Sequence, residues 1–343
     1  MRDLLAPDYT RDSLRKHGGL LLGLGVLMLL IRKGDEWSDF VVFLLLAAMA
    51  VYLYASVFTT DATGGARPWQ AVHSVFGLIF VPLALSELVD MIGDAGDSGN
   101  ALNVLWIFGV TAALGFYAGA VKGVRVHLLL ASIATIVAWS ALWQELLGDE
   151  GIAGHFGTYR GLLGILAIIL LGVGLYLWRR NDDAHVSDTG VEAAGDQGLW
   201  KASELLTGAG IAAVFACGLA GPSAVFAGVF ESAFGAFGAQ VVPAVETNML
   251  WDVLLLLVSL GLVGLGSTIG TRGPVYIGAI GLALFLFIVG SDLNEGEDAD
   301  PSNLGIWPII LIVGGALAVF LSTVRDASLG DQPRRFLDQL RGR

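Results

Sequence analysis

The chain has 343 residues, 55% of them hydrophobic and 15% charged, whereas soluble domains run at about 25% charged, so a water-soluble globular class is excluded. A net charge of -12 with no basic stripe excludes nucleic acid as a partner. The single cysteine, Cys217, lies inside an apolar run and excludes a disulfide, a CxxC pair and a cysteine-based metal site; it reads as a small buried hydrophobe.

Ten apolar runs follow one another, at 19–32, 38–58, 69–91, 101–121, 126–147, 159–178, 203–230, 248–268, 274–290 and 306–323. Each approaches the roughly 20 helical residues needed to cross a ~30 Å hydrocarbon core. The expected fold class is all-α, a polytopic transmembrane bundle of ten spans. The first run follows a basic segment, as in a secretory signal, but no small-residue cleavage site follows and Arg32-Lys33 stops it, which predicts an uncleaved helix. The stretch before it, with Leu4, Leu5, Tyr9 and Leu14, is expected to lie on the lipid surface.

An even span number places both termini on one side. Arg2, Arg11, Arg15, Lys16, Lys122, Arg125, Arg179, Arg180, Lys201, Arg325, Arg334, Arg335, Arg341 and Arg343 then share that side. The other side holds Arg32, Lys33 and Arg160 against Asp94, Asp97, Asp149, Glu150, Asp292, Glu295, Glu297, Asp298 and Asp300. The excess of Lys and Arg marks the cytoplasmic face, so both termini are expected in the cytoplasm. The Ala-, Gly-, Leu- and Arg-rich composition points to the inner (plasma) membrane of a prokaryote.

Four regions follow: a six-span half (1–180), an acidic flexible linker (181–201), a four-span half (202–324) and a basic amphipathic tail (325–343). Asn181 to Gln197 is polar and has nothing to bury. The tail sets Phe336, Leu337 and Leu340 against Arg334, Arg335 and Arg341, suited to anionic lipid. Gly18-Gly19-Leu20-Leu21-Leu22-Gly23 before Arg32-Lys33 echoes Gly161-Leu162-Leu163-Gly164 before Arg179-Arg180. Two inverted halves of five would produce that echo, but the linker follows span six, which argues against a true repeat.

Small residues let helix backbones touch in lipid, and Gly19/Gly23, Gly115/Gly119/Gly123 and Gly278/Gly281 fit that use. The third run carries the most polar groups: His73, Pro82, Ser86, Glu87 and Asp90. His73 and Glu87 are fourteen positions apart, about four turns at ~3.6 residues each, and share a helix face. Glu87 either exchanges protons within the bundle or pairs with Arg32, Lys33 or Arg160. Glu145, Glu231 and Asp252 lie at similar depth and would complete an acidic vestibule. Pro222, with Gly218, Gly221 and Ser223, predicts a break in the seventh run of the kind that lines transport sites. Ser132, Thr135, Trp139 and Trp143 share a face of the fifth run and read as helix packing. His73 and His127 sit at comparable depth and would be the only pair suited to a b-type haem.

The expected function is solute movement, as a permease or exporter, with Glu87, Asp90, His73, Glu145, Pro222 and Asp252 as candidate residues. The alternative is a non-catalytic scaffold or subunit that meets itself or other membrane chains through Gly-rich helix faces. No catalytic residue, cofactor or metal is expected, and the lipid bilayer is the expected partner.

Overall fold

The computed structural model describes residues 8–33, 36–59, 67–93, 97–147, 155–185, 192–218 and 249–292. Met1–Phe287 forms one packing unit and Ile288–Arg343 another; the helices below are those of the first, and the last of them ends in the second. All the regular structure among the described residues is helical: α1 (Asp8–Lys33), α2 (Asp39–Tyr54), α3 (Pro68–Ile92), α4 (Ala101–Phe116), α5 (Arg125–Leu146), α6 (Phe156–His185), α7 (Glu192–Gly218), α8 (Met249–Ile269) and α9 (Arg272–Asp292). These correspond to the first nine expected spans. The tenth run and residues 219–230 of the seventh lie outside the described residues.

Seven of the described helices are long and apolar enough to cross a membrane. Their surface agrees with a lipid solvent: Ile168 is 68% exposed, Leu21 70% and Val51 72%, while Ser74, His127, Ser132 and Arg160 are buried. Water would penalise that arrangement, because it leaves apolar area uncovered along the whole length of the helices. The described spans thus form a multi-pass, membrane-type bundle.

Helix ends follow local chemistry. Pro68 opens α3 at the position where its missing N–H costs nothing, and the Arg67 N–H donates to Gln70 Oε1 at 2.8 Å. Asn100 caps α4 by accepting from the Leu102 N–H at 3.2 Å. The last turn of α4 widens into a π-turn, Tyr117–Val121, and Gly123 (φ 73°) lets the Val124 N–H reach back to the Ala118 carbonyl at 3.1 Å. Gly270 (φ 77°) does the same between α8 and α9, where the Thr271 N–H meets the Gly266 carbonyl at 2.9 Å.

At least three apolar clusters hold the described part of the unit, one of them around Tyr54, Val57, Leu78 and Ala118. Val26, Leu46, Leu53 and Phe80 join α1, α2 and α3; Ile136, Leu163, Leu205 and Ala212 join α5, α6 and α7. Glycines set the spacing as expected. A Cβ at Gly19 would strike the His73 ring, one at Gly23 the Phe76 ring, one at Gly115 the Ala131 side chain and one at Gly278 the Ser259 carbonyl.

Helix α7 packs against α5, α6 and α8, and Leu205 through Gly210 are all buried. It is not among the seven helices apolar enough to span alone. A helix enclosed by other helices need not dissolve in lipid, which is why Lys201, Glu204 and Thr207 are tolerated on it. Its most extensive neighbour is α6, across the expected linker, so the two expected halves share a core. Helical backbone also runs further into that linker than expected, to His185 and again from Glu192. Likewise α1 is continuous from Asp8, so Tyr9 and Leu14 belong to the first span's own helix.

The helices alternate in direction, and contacts pair their ends: Arg15 with His73, Lys201 with Ala120, Thr207 with Gly273. Arg15, Lys16, Lys122, Arg125, Arg179 and Lys201 therefore gather at one end, joined by Arg67 and Arg272. The opposite end carries Asp39, Glu87, Asp90, Asp252 and the buried Arg160.

Candidate functional site

The acidic end is built on α3. Pro82 sits inside the helix without ending it, and Ser86 Oγ donates to the Pro82 carbonyl at 2.9 Å. Glu87 follows, half-buried. The charges that act on it are the carboxylates of Asp39, at the start of α2, and Asp90, one turn further along α3. The expected ion pair with Arg32 or Arg160 does not form among the described residues. Arg160 is engaged elsewhere, and the Lys33 side chain lies outside the described residues. Asp90 has a structural task as well: its two oxygens accept from the Ser98 N–H at 2.9 Å and Ser98 Oγ at 2.8 Å, closing the turn before α4.

His73 shares a helix with Glu87 but works at the other end. Its ring lies on Gly19, edge-on to Trp69 at 5.4 Å, and Nε2 meets the Arg15 carbonyl at 3.0 Å. A carbonyl only accepts, so Nε2 carries the proton. Arg15 in turn stacks on Trp69 at 5.2 Å. His127 is fully enclosed, with its ring 6.4 Å from that of Tyr54 and beside the backbone of Ser74 on α3. Tyr54 Oη donates to the Leu114 carbonyl at 2.7 Å, just before the π-turn. Because His73 turns toward α1 while His127 lies beside α2, the two imidazoles do not form the haem-ligating pair that their depth suggested.

The most enclosed charge is Arg160, 2% exposed in the first turns of α6. Nε donates to the Ala216 carbonyl at 3.0 Å and Nη2 to the Cys217 carbonyl at 2.6 Å, the last carbonyls of α7. The guanidinium lies 4.3 Å from the Trp251 ring centroid and 5.3 Å from that of Phe156. Asp252, buried beside it at the start of α8, acts on it electrostatically. Nε and Nη2 are thereby satisfied by backbone carbonyls of a neighbouring helix, so the buried charge keeps hydrogen-bond partners there. Arg160 thus ties α6, α7 and α8 together, and Asp252 belongs to this joint rather than to a vestibule with Glu87. The signal was present in the chain: an Arg just inside an apolar run, with no acid three or four residues away on its own helix, must find its partner on another.

Glu145 is exposed near the end of α5. Pro222 and Glu231 lie outside the described residues. The Ser132 face of α5 packs as expected. Ser132 Oγ donates to the Leu128 carbonyl at 2.8 Å and the side chain faces Gly208, while Trp139 Nε1 donates to the Leu162 carbonyl at 3.0 Å. Among the described residues no three metal-ligating side chains come together. Comparison with protein-family models, curated proteins and solved structures found no match for this chain.

Proposed function

We propose that this chain is a multi-pass permease of a prokaryotic plasma membrane, moving a small solute, with Glu87 as the group whose protonation drives the movement. One observation carries the reading: Glu87 sits half-buried within an apolar span, with the carboxylates of Asp39 and Asp90 acting on it. A carboxylate in that setting is expensive to keep unless it takes up a proton or a cation. The gathering of Arg and Lys at one end supports a cytoplasmic placement of that end and of both termini. The reading involves no catalytic step.

Proteoliposomes loaded with a pH-sensitive dye and given an imposed pH gradient test it. Adding a small-molecule extract of cells should dissipate the gradient with the unaltered protein and with Glu145→Gln, and should fail to do so with Glu87→Gln. Equal dissipation by Glu87→Gln removes Glu87 from any coupling role.

A second reading, a membrane scaffold, is favoured by α6. Among the described residues nothing comes within 4 Å of where a Cβ would lie at Gly157, Gly161, Gly164 or Gly172, beside exposed Ile165 and Ile168. Such a face admits close approach by another helix. Self-association in detergent that Gly161→Leu abolishes, with no solute flux, would favour it over the permease.

A further inference from the structure

The basic end contains a cluster that neither reading uses. Lys122 and Arg125 flank the tight turn at Gly123 between α4 and α5. Lys201, on α7, reaches across and donates from Nζ to the Ala120 carbonyl at 2.9 Å. Trp200 holds the group together: Lys201 Nζ lies 5.6 Å from its ring centroid and the Arg125 guanidinium 5.8 Å. Arg179 joins them by register, since Gly174 touches Leu206 in the antiparallel α6–α7 pair and Arg179 is therefore level with Lys201. The acid facing this group is Glu204, on which Arg125 bears. Asp182 and Asp183 continue α6 beyond Arg179, about 5 Å further from the bilayer at ~1.5 Å per residue.

Below the turn, the outward face of α4 is apolar. Leu102, Trp106, Val110, Tyr117 and Val121 are exposed and form one column that ends beneath Lys122. A cationic rim above an apolar column has the polarity of a phospholipid, headgroup over chain. The exposed phenol of Tyr117 is of the type that settles at the headgroup level.

The geometry points to a binding site for the phosphate of an anionic phospholipid where the α4–α5 turn meets Lys201 of α7, with an acyl chain along the exposed column of α4. Lys201 uses one ammonium proton on the Ala120 carbonyl and keeps two for phosphate, while Lys122 and Arg125 add positive charge beside it. The lipid would bridge α4, α5 and α7, and so fasten the central helix to the outer ring. The assignment is independent of Glu87 and of solute movement.

The full chain, purified in a neutral detergent, is titrated with phosphatidylglycerol or with phosphatidylcholine of the same chains, and the midpoint of thermal unfolding is followed. Phosphatidylglycerol should raise the midpoint well above phosphatidylcholine. Each basic residue near a headgroup contributes about fivefold in affinity. Lys122→Gln should therefore weaken the phosphatidylglycerol response about fivefold, and Lys122→Gln with Arg125→Gln about thirtyfold. Arg32→Gln, at the opposite end, should leave it unchanged. Reading the difference between the two lipids within each variant separates lost binding from lost stability. Equal responses to the two lipids, an undiminished phosphatidylglycerol preference in the double variant, or the same stabilisation by inorganic phosphate alone would each overturn the assignment.

Discussion

Arg160→Met keeps most of the side chain's length and packing and removes its charge. Two hydrogen bonds from a charged donor disappear, to the Ala216 carbonyl at 3.0 Å and the Cys217 carbonyl at 2.6 Å. Each such bond contributes about 1.5–3 kcal/mol. The stack on Trp251 contributes up to about 2 kcal/mol when desolvated. These contributions overlap, because a single charge makes all of them. The expected loss is therefore about 3–5 kcal/mol, as when one partner is taken from a buried charged set. At roughly 2–4 °C per kcal/mol, thermal unfolding in neutral detergent should begin about 10 °C lower. Arg160→Lys keeps the charge but not the fork and should fall between. Asp252→Asn should be less harmful in the Arg160→Met background than alone, since the carboxylate it neutralises has lost its cation. A midpoint for Arg160→Met within 2 °C of the unaltered protein, or strict additivity with Asp252→Asn, would refute the claim that Arg160 holds the end of α7.

Two further outcomes are expected. With Cys217→Ala as background, a cysteine at Ser38 should react with an impermeant thiol reagent added to intact cells and one at Thr268 should not, because they lie at the acidic and basic ends; the reverse labelling would invert the orientation. Gly19→Ala should lower the unfolding midpoint, since its Cβ would strike the His73 ring, whereas Gly161→Ala, with open space around it, should leave the midpoint within about 1 kcal/mol or raise it; equal losses at both positions would mean that helix contact does not decide the effect.

The sequence by itself determined the class, the helix positions and the charge layout. Those signals are local: hydrocarbon thickness sets how long an apolar run must be, Pro68 and Asn100 mark helix starts by their own backbone chemistry, and Arg and Lys collect where they need not be desolvated. The glycine contacts were legible for the same reason, since a missing Cβ is useful only where another chain comes close. What the tertiary structure decided was which helix faces which, and therefore what each polar side chain does. Hydropathy separates lipid from water but cannot tell lipid from another helix, so the enclosure of α7 had no signature beyond its mild polarity. Arg160, His73 and Lys201 find backbone groups brought to them by the fold, and every residue carries the same carbonyl. A side chain's partner among such groups is set by the approach of helices in space, which no spacing along the chain records.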